Sequence, residues 1–105
     1  MADYRKLMGT KTEGQLEKET IKHLEAVGCY VRKFKSPSQR GVPDDIIVCK
    51  FGAVIFAEFK SPTGLGKVSP LQQIEIGKLK RNKAEVWIVR CADEAIELIE
   101  RCANA

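Results

Sequence analysis

The sequence predicts an α/β domain: a mixed four-stranded sheet flanked by helices, in the order helix, three strands, helix, strand, helix. Three observations carry this. Residues 16–27 repeat apolar groups at helical spacing. Two short segments, 45–51 and 53–60, are apolar on both strand faces, as in central strands covered on both sides. A capped helix then separates them from a fourth apolar segment, so the fourth strand should lie parallel to the third through a right-handed crossover.

The first helix opens near Thr10, which forms a capping-box pattern with Glu13. Leu16, Thr20, Ile21, Leu24 and Val27 form one face, and Gly28 supplies the stop. Glu17 falls inside that face, between Leu24 and Ile21. A carboxylate there is costly without a partner, so Glu17 is either a boundary residue reaching water or a group aimed into a site. Glu13 lies in a similar direction one turn earlier, where capping accounts for it. Cys29 to Lys35 reads as the first strand, with Tyr30, Arg32 and Phe34 on one side and Val31 and Lys33 on the other. Residues 36–43 form a loop by their turn chemistry. The second strand is 45–51, Gly52 is the turn, and the third strand is 53–60. Residues 61–67 form a flexible loop. Ser69 caps the next helix with Pro70 at its first position, and that helix runs to about Arg81. The fourth strand is 85–90, and the last helix covers roughly 93–101 with Ala95, Ile96, Leu98, Ile99 and Cys102 as its apolar set.

With 105 residues the chain is expected to form one domain, with residues 1–9 as a flexible N-terminus. No apolar run approaches the roughly 18 residues of a membrane span. No apolar stretch follows the first residues as a secretory signal would require, and a cytoplasmic location is expected. Net charge is +4 with pI about 8.9, a balance that permits binding to a polyanion without demonstrating it. The four cysteines, at positions 29, 49, 91 and 102, form no C-x-x-C pair, and there is one histidine. They are read as reduced thiols acting as small hydrophobes rather than as a zinc site.

Asp44 opens the second strand after a proline-ended loop, and Glu58 and Lys60 end the third. Residues two apart on a strand share a face, and a hairpin through Gly52 sets the start of one strand beside the end of the other. Asp44, Glu58 and Lys60 should therefore meet at one sheet corner. Asp45 faces the opposite side. Two carboxylates can hold Mg²⁺ or Mn²⁺ through hard oxygen ligands, such a metal lowers the pKa of bound water, and a nearby lysine can orient that water or stabilise developing negative charge. Phosphodiester hydrolysis needs these groups. A lone E-x-K would be an ordinary strand-end pair. The joint pattern of Pro43-Asp44, a strand-length gap, Glu58-x-Lys60 and a capped helix carrying Gln72 is more specific. Arg32, Lys33, Lys35, Arg40 and Lys67 flank this corner and could contact backbone phosphates, positioning DNA without reading sequence.

Gly41-Val42-Pro43-Asp44, Glu58-Phe59-Lys60 and Ser69-Pro70-Leu71-Gln72 resemble, in order, the motifs of the PD-(D/E)xK nuclease superfamily, with its restriction-endonuclease-like fold. Within it the chain resembles the small stand-alone VRR-NUC domains of phages and bacteria. The segment Gln15-Leu16-Glu17-Lys18-Glu19 is also similar to the helix of archaeal Holliday-junction resolvases that carries a catalytic glutamate. The resemblance implies that Asp44 and Glu58 are metal ligands, that the Phe59 carbonyl is a further ligand, and that Lys60 is the catalytic lysine. It implies that Glu17 completes the acidic site, directly or through a water, and that Gln72 projects toward the metal or phosphate. It further implies a homodimeric, structure-selective endonuclease for branched DNA, such as four-way junctions, where two-fold symmetry supplies paired cuts. A nicking or restriction-type nuclease, a non-catalytic DNA-binding module and a general interaction domain are the alternatives.

Overall fold

A computed structural model describes residues 3–64 and 66–104. Met1 and Ala2 of the expected flexible N-terminus, Leu65 of the expected 61–67 loop, and Ala105 lie outside the described residues. The elements are α1 (Arg5–Met8), α2 (Glu13–Ala26), β1 (Tyr30–Lys33), β2 (Asp45–Val48), β3 (Val54–Phe59), α3 (Pro70–Arg81), β4 (Glu85–Val89) and α4 (Ala92–Ala103). The sheet order is β1-β2-β3-β4, with β2 antiparallel to both β1 and β3, and β4 parallel to β3. The expected mixed sheet and its crossover through α3 are both present.

Differences fall at the element ends. The strands are shorter than the apolar runs that announced them. Residues 1–9 are not uniformly loose: Arg5–Met8 forms a helical turn and Leu7 is fully buried in the core. The cap of α2 is Thr12 with Gln15, not Thr10 with Glu13. Thr12 has the extended backbone that a cap needs, and Gln15 returns a bond to its N–H. Thr10 instead gives its hydroxyl proton to the Leu7 carbonyl at 2.7 Å, closing α1.

Gly28 stops α2 as expected. Its N–H donates to Glu25 O at 3.0 Å and Cys29 N–H donates to Leu24 O at 3.0 Å. With Gly28 at φ +95°, this is the paired-bond C-terminal motif that a left-handed glycine permits. Gly52, at φ +97°, turns β2 into β3, and Cys49 N–H donates to Ala53 O at 2.8 Å across that turn.

Register fixes two faces. Val31, Ile47 and Ile55 form one row, and Lys33, Asp45 and Ala57 another row on the same face. These rows lie under α2 and α4, where Leu16, Leu24, Leu98 and Ile99 complete the core. The opposite face carries the rows Tyr30–Val48–Val54 and Arg32–Ile46–Phe56. There α3 packs near β4 through Ile76, and Tyr30 and Val54 remain exposed.

Candidate active site

The corner at the start of β2 is built by three local devices. Phe34 N–H donates to Asp44 O at 2.8 Å, which extends the β1–β2 ladder by one step and seats the loop 35–43. Gly41 then lies against the first turn of α3. A Cβ added there would come within 2.6 Å of Leu71 O and 3.0 Å of Gln72 N, at φ +88°. Only glycine allows that approach. Finally, Ser69 caps α3 by accepting from Gln72 N–H at 3.2 Å, which orients Gln72 toward the sheet.

On the α3 face, continuing the β2–β3 register sets Asp44 opposite Glu58. Asp44 Oδ2 accepts from Phe59 N–H at 2.8 Å. Glu58 is 2% exposed and Lys60 9%. Glu58 Oε2 accepts from Gln72 Nε2 at 2.7 Å and pairs with Lys60 Nζ at 3.1 Å. Gln72 Oε1 accepts from Lys60 Nζ at 2.9 Å and from Ser69 N–H at 2.9 Å. One amide therefore ties carboxylate, ammonium and helix cap together. The other Glu58 oxygen, Oε1, is buried and has no partner among the described residues. An unpaired buried carboxylate oxygen is costly. Burial, with the charge of Asp44, pushes the Glu58 carboxyl above its usual range, against the pull of Lys60 and Gln72. Burial, with the charge of Glu17, raises Asp44 against its bond from Phe59 N–H.

The sequence expectations are met in part. Asp44, Glu58, Lys60 and Gln72 converge at one corner, as the hairpin argument requires. Gln72 does not project freely toward a ligand, because both ends of its amide are committed to Glu58, Lys60 and Ser69. Glu17 does not join them. It lies on the α2 face, ion-paired with Lys33 and beside Asp45, so its link to Asp44 is electrostatic. The physical reason is strand alternation: consecutive Asp44 and Asp45 point to opposite faces, and α2 covers the Asp45 side. Glu13 is exposed at the start of α2.

Asp45 is the residue the sequence reading undervalued. It is 1% exposed and neither carboxylate oxygen meets a donor among the described residues. Burial, and then Glu17, push it up to about 8. Protonated, it can donate to Glu17. That bond, together with Lys33, holds Glu17 below its usual range against the opposing effect of burial. The available signal was the doubled aspartate opening a buried strand under a helix face that also carries a glutamate.

No family model matches the chain. A solved structure described as a "VRR_NUC domain" superposes with a TM-score of 0.75 at 26% identity, covering 87% of this chain and 97% of that one. The protein named "Putative nuclease p44", from Acyrthosiphon pisum secondary endosymbiont phage 1, is 36% identical over 67 residues, covering 64% of this chain and 70% of that protein. The chain belongs to the VRR-NUC nucleases.

The surface of this VRR-NUC nuclease also places the predicted cations. Lys33 is occupied by Glu17. Arg32 lies 4.1 Å over the Tyr30 ring and donates to Val31 O at 2.8 Å, leaving it exposed at the sheet edge. Lys35, Arg40 and Lys67 are exposed and make no ion pair among the described residues. No helix among the described residues is long and apolar enough to cross a membrane.

Proposed function

We propose that the chain is a Mg²⁺- or Mn²⁺-dependent endonuclease that hydrolyses phosphodiester bonds in branched DNA, four-way junctions among them, and works as a homodimer in the cytoplasm of a bacterial or phage-infected cell. The observation that carries the reading is Glu58 Oε1: a buried, partnerless carboxylate oxygen on the same strand face as Asp44. The donor set fits a hard divalent cation, with Asp44 and Glu58 as carboxylate ligands and the Phe59 carbonyl as a neutral one. When bound, such an ion supplies an activated water and neutralises phosphate charge.

The chain's own residues do the rest. Gln72 and Lys60 occupy Glu58 Oε2, which leaves Oε1 to the ligand. Lys60 keeps its ammonium at the corner through Gln72 and Glu58, where it can orient the attacking water and stabilise negative charge on the phosphate. Glu17 acts at one remove, through its charge on Asp44. Lys35, Arg40, Lys67 and Arg32 hold backbone phosphates around the corner, contacts that select shape rather than sequence. The half-exposed row Tyr30–Val48–Val54, beyond the edge of α3, supports a two-fold dimer presenting two sites to one junction.

The experiment is cleavage of four-way junction, flap, duplex and single-stranded DNA, each with Mg²⁺, Mn²⁺ or chelator. Junction cutting that needs the cation is expected, faster as pH rises and Asp44 and Glu58 lose their protons. Equal cutting of all substrates would remove the branch selectivity, and cutting in chelator would remove the metal. Binding should weaken with salt at a log–log slope of about −0.9 per phosphate contacted.

A further inference from the structure

The opposite end of β2 carries a second constellation, which the nuclease reading does not use. Cys29 follows Gly28 at the end of α2, Cys49 follows β2, and Cys102 sits in the last turn of α4. Their three sulfurs all lie within 4.8 Å of one another, and the residues are 8%, 2% and 0% exposed. We propose that Cys29, Cys49 and Cys102 form a thiolate site for a thiophilic divalent cation of the Zn²⁺ class.

Each sulfur is placed by rigid structure. The paired bonds of Gly28 and Cys29 back onto α2 fix Cys29. The β1–β2 register, Tyr30 opposite Val48, sets Cys29 opposite Cys49 when continued one step. Packing of α4 across the sheet face brings Cys102 over both. A tetrahedral Zn²⁺ with Zn–S bonds of about 2.3 Å needs sulfurs roughly 3.8 Å apart, so small side-chain rotations close the cup. Three protein ligands leave the fourth position of the tetrahedron to a further donor, and Cys29 is the most exposed of the three. The missing C-x-x-C spacing does not matter here, because the ligands come from three elements separated in sequence.

The charge balance is simple. Three thiols and M²⁺ give a tris-thiolate of net charge −1 and three released protons. Burial raises the Cys29 and Cys102 thiols, so in the free protein the protons stay on and binding strengthens as pH rises. Arg101, held by Glu85 at 2.7 Å, also lies close enough to feel Cys49 and Cys102. The site is distinct from the catalytic corner: the four residues of β2 lie between Asp44 and Cys49, five steps or about 17 Å at strand rise.

The full chain carrying Cys91→Ser, which removes the fourth thiol, is titrated with Cd²⁺ and Zn²⁺. A thiolate-to-Cd²⁺ ultraviolet charge-transfer band saturating at one ion per chain is expected, with release of close to three protons and a Tm raised by several degrees. Carboxylates give no such band, so Asp44→Asn must leave it intact while Cys49→Ser and Cys102→Ser abolish it. Cys29→Ser, at the most exposed ligand, should fold even if the other two variants do not, and should also lose the band. No band in the Cys91→Ser chain, or a band that survives Cys29→Ser, would overturn the proposal.

Discussion

Two acidic clusters lie back to back across the start of β2, and they differ in what surrounds them. On the α3 face, Glu58 shares one oxygen between Gln72 and Lys60 and leaves the other free. On the α2 face, Asp45 has no donor among the described residues and Glu17 has Lys33. The first cluster keeps a buried carboxylate next to the Lys60 ammonium with one oxygen, Oε1, unpaired among the described residues. In the second, burial and Glu17 push Asp45 up, favouring its protonated form. Neighbouring aspartates meet these different surroundings because one residue of strand alternation changes which helix covers them.

Breaking the first cluster should have the largest effect. Lys60→Met is expected to lower junction cleavage by about 10²–10³-fold, the scale of removing one stabilising charge from a reacting site, and Glu58→Gln at least as far. Single-turnover rates at saturating DNA are the measurement, with junction binding preserved in both variants. If Glu17→Gln fell as far as Glu58→Gln, the two clusters would be one catalytic unit, and the division between faces would be wrong.

Next comes Gln72→Ala, which keeps both carboxylates but releases Glu58 and Lys60 from their shared amide. A loss of about 10–100-fold in activity or Mn²⁺ affinity is expected, as for other residues that orient ligands. Gln72→Glu should not rescue it, because a carboxylate cannot donate to Glu58.

Gly41→Ala attacks the loop that seats the corner. The left-handed backbone and the 2.6 Å approach to Leu71 O predict a cost of about 1–3 kcal/mol. Chemical denaturation measures it, and a matching loss of rate would show that the loop and α3 position the site together. Gly52→Ala, also at positive φ but with open space around its Cβ, should cost less.

The smallest effect sharpens the second cluster. Asp45 is raised to about 8 in the folded chain, so its proton is held there while the unfolded chain loses it above the ordinary aspartate range. Its contribution to stability is therefore present at low pH and lost as pH rises from about 4 to about 8. In chelator, Asp45→Asn should flatten that decline and raise Tm at pH 8 relative to wild type. An unchanged pH profile would mean that Asp45 is ionised in the folded protein.

Much of the candidate corner was legible in the sequence, because its logic is local. Residues two apart share a strand face, a glycine turn makes a hairpin, and Ser69-Pro70 starts a helix with Gln72 one turn in. Those rules bring Asp44, Glu58, Lys60 and Gln72 together without knowledge of packing. The cap of α2 was misplaced by two residues because Thr10 and Thr12 offer similar hydroxyls, and the choice depends on α1 closing onto Thr10. The commitment of Gln72 was hidden because an amide can face a ligand or its neighbours equally well.

The sequence by itself determined the element order, the parallel fourth strand and the acid–acid–lysine corner, since periodicity, turn chemistry and alternation act over a few residues. Only the tertiary structure decided on which side of the sheet Glu17 lies, what Asp45 faces and whether three scattered cysteines meet. Those depend on how α2 and α4 dock on the sheet through Leu16, Leu24, Leu98 and Ile99, and such long-range packing leaves no fixed spacing in the chain.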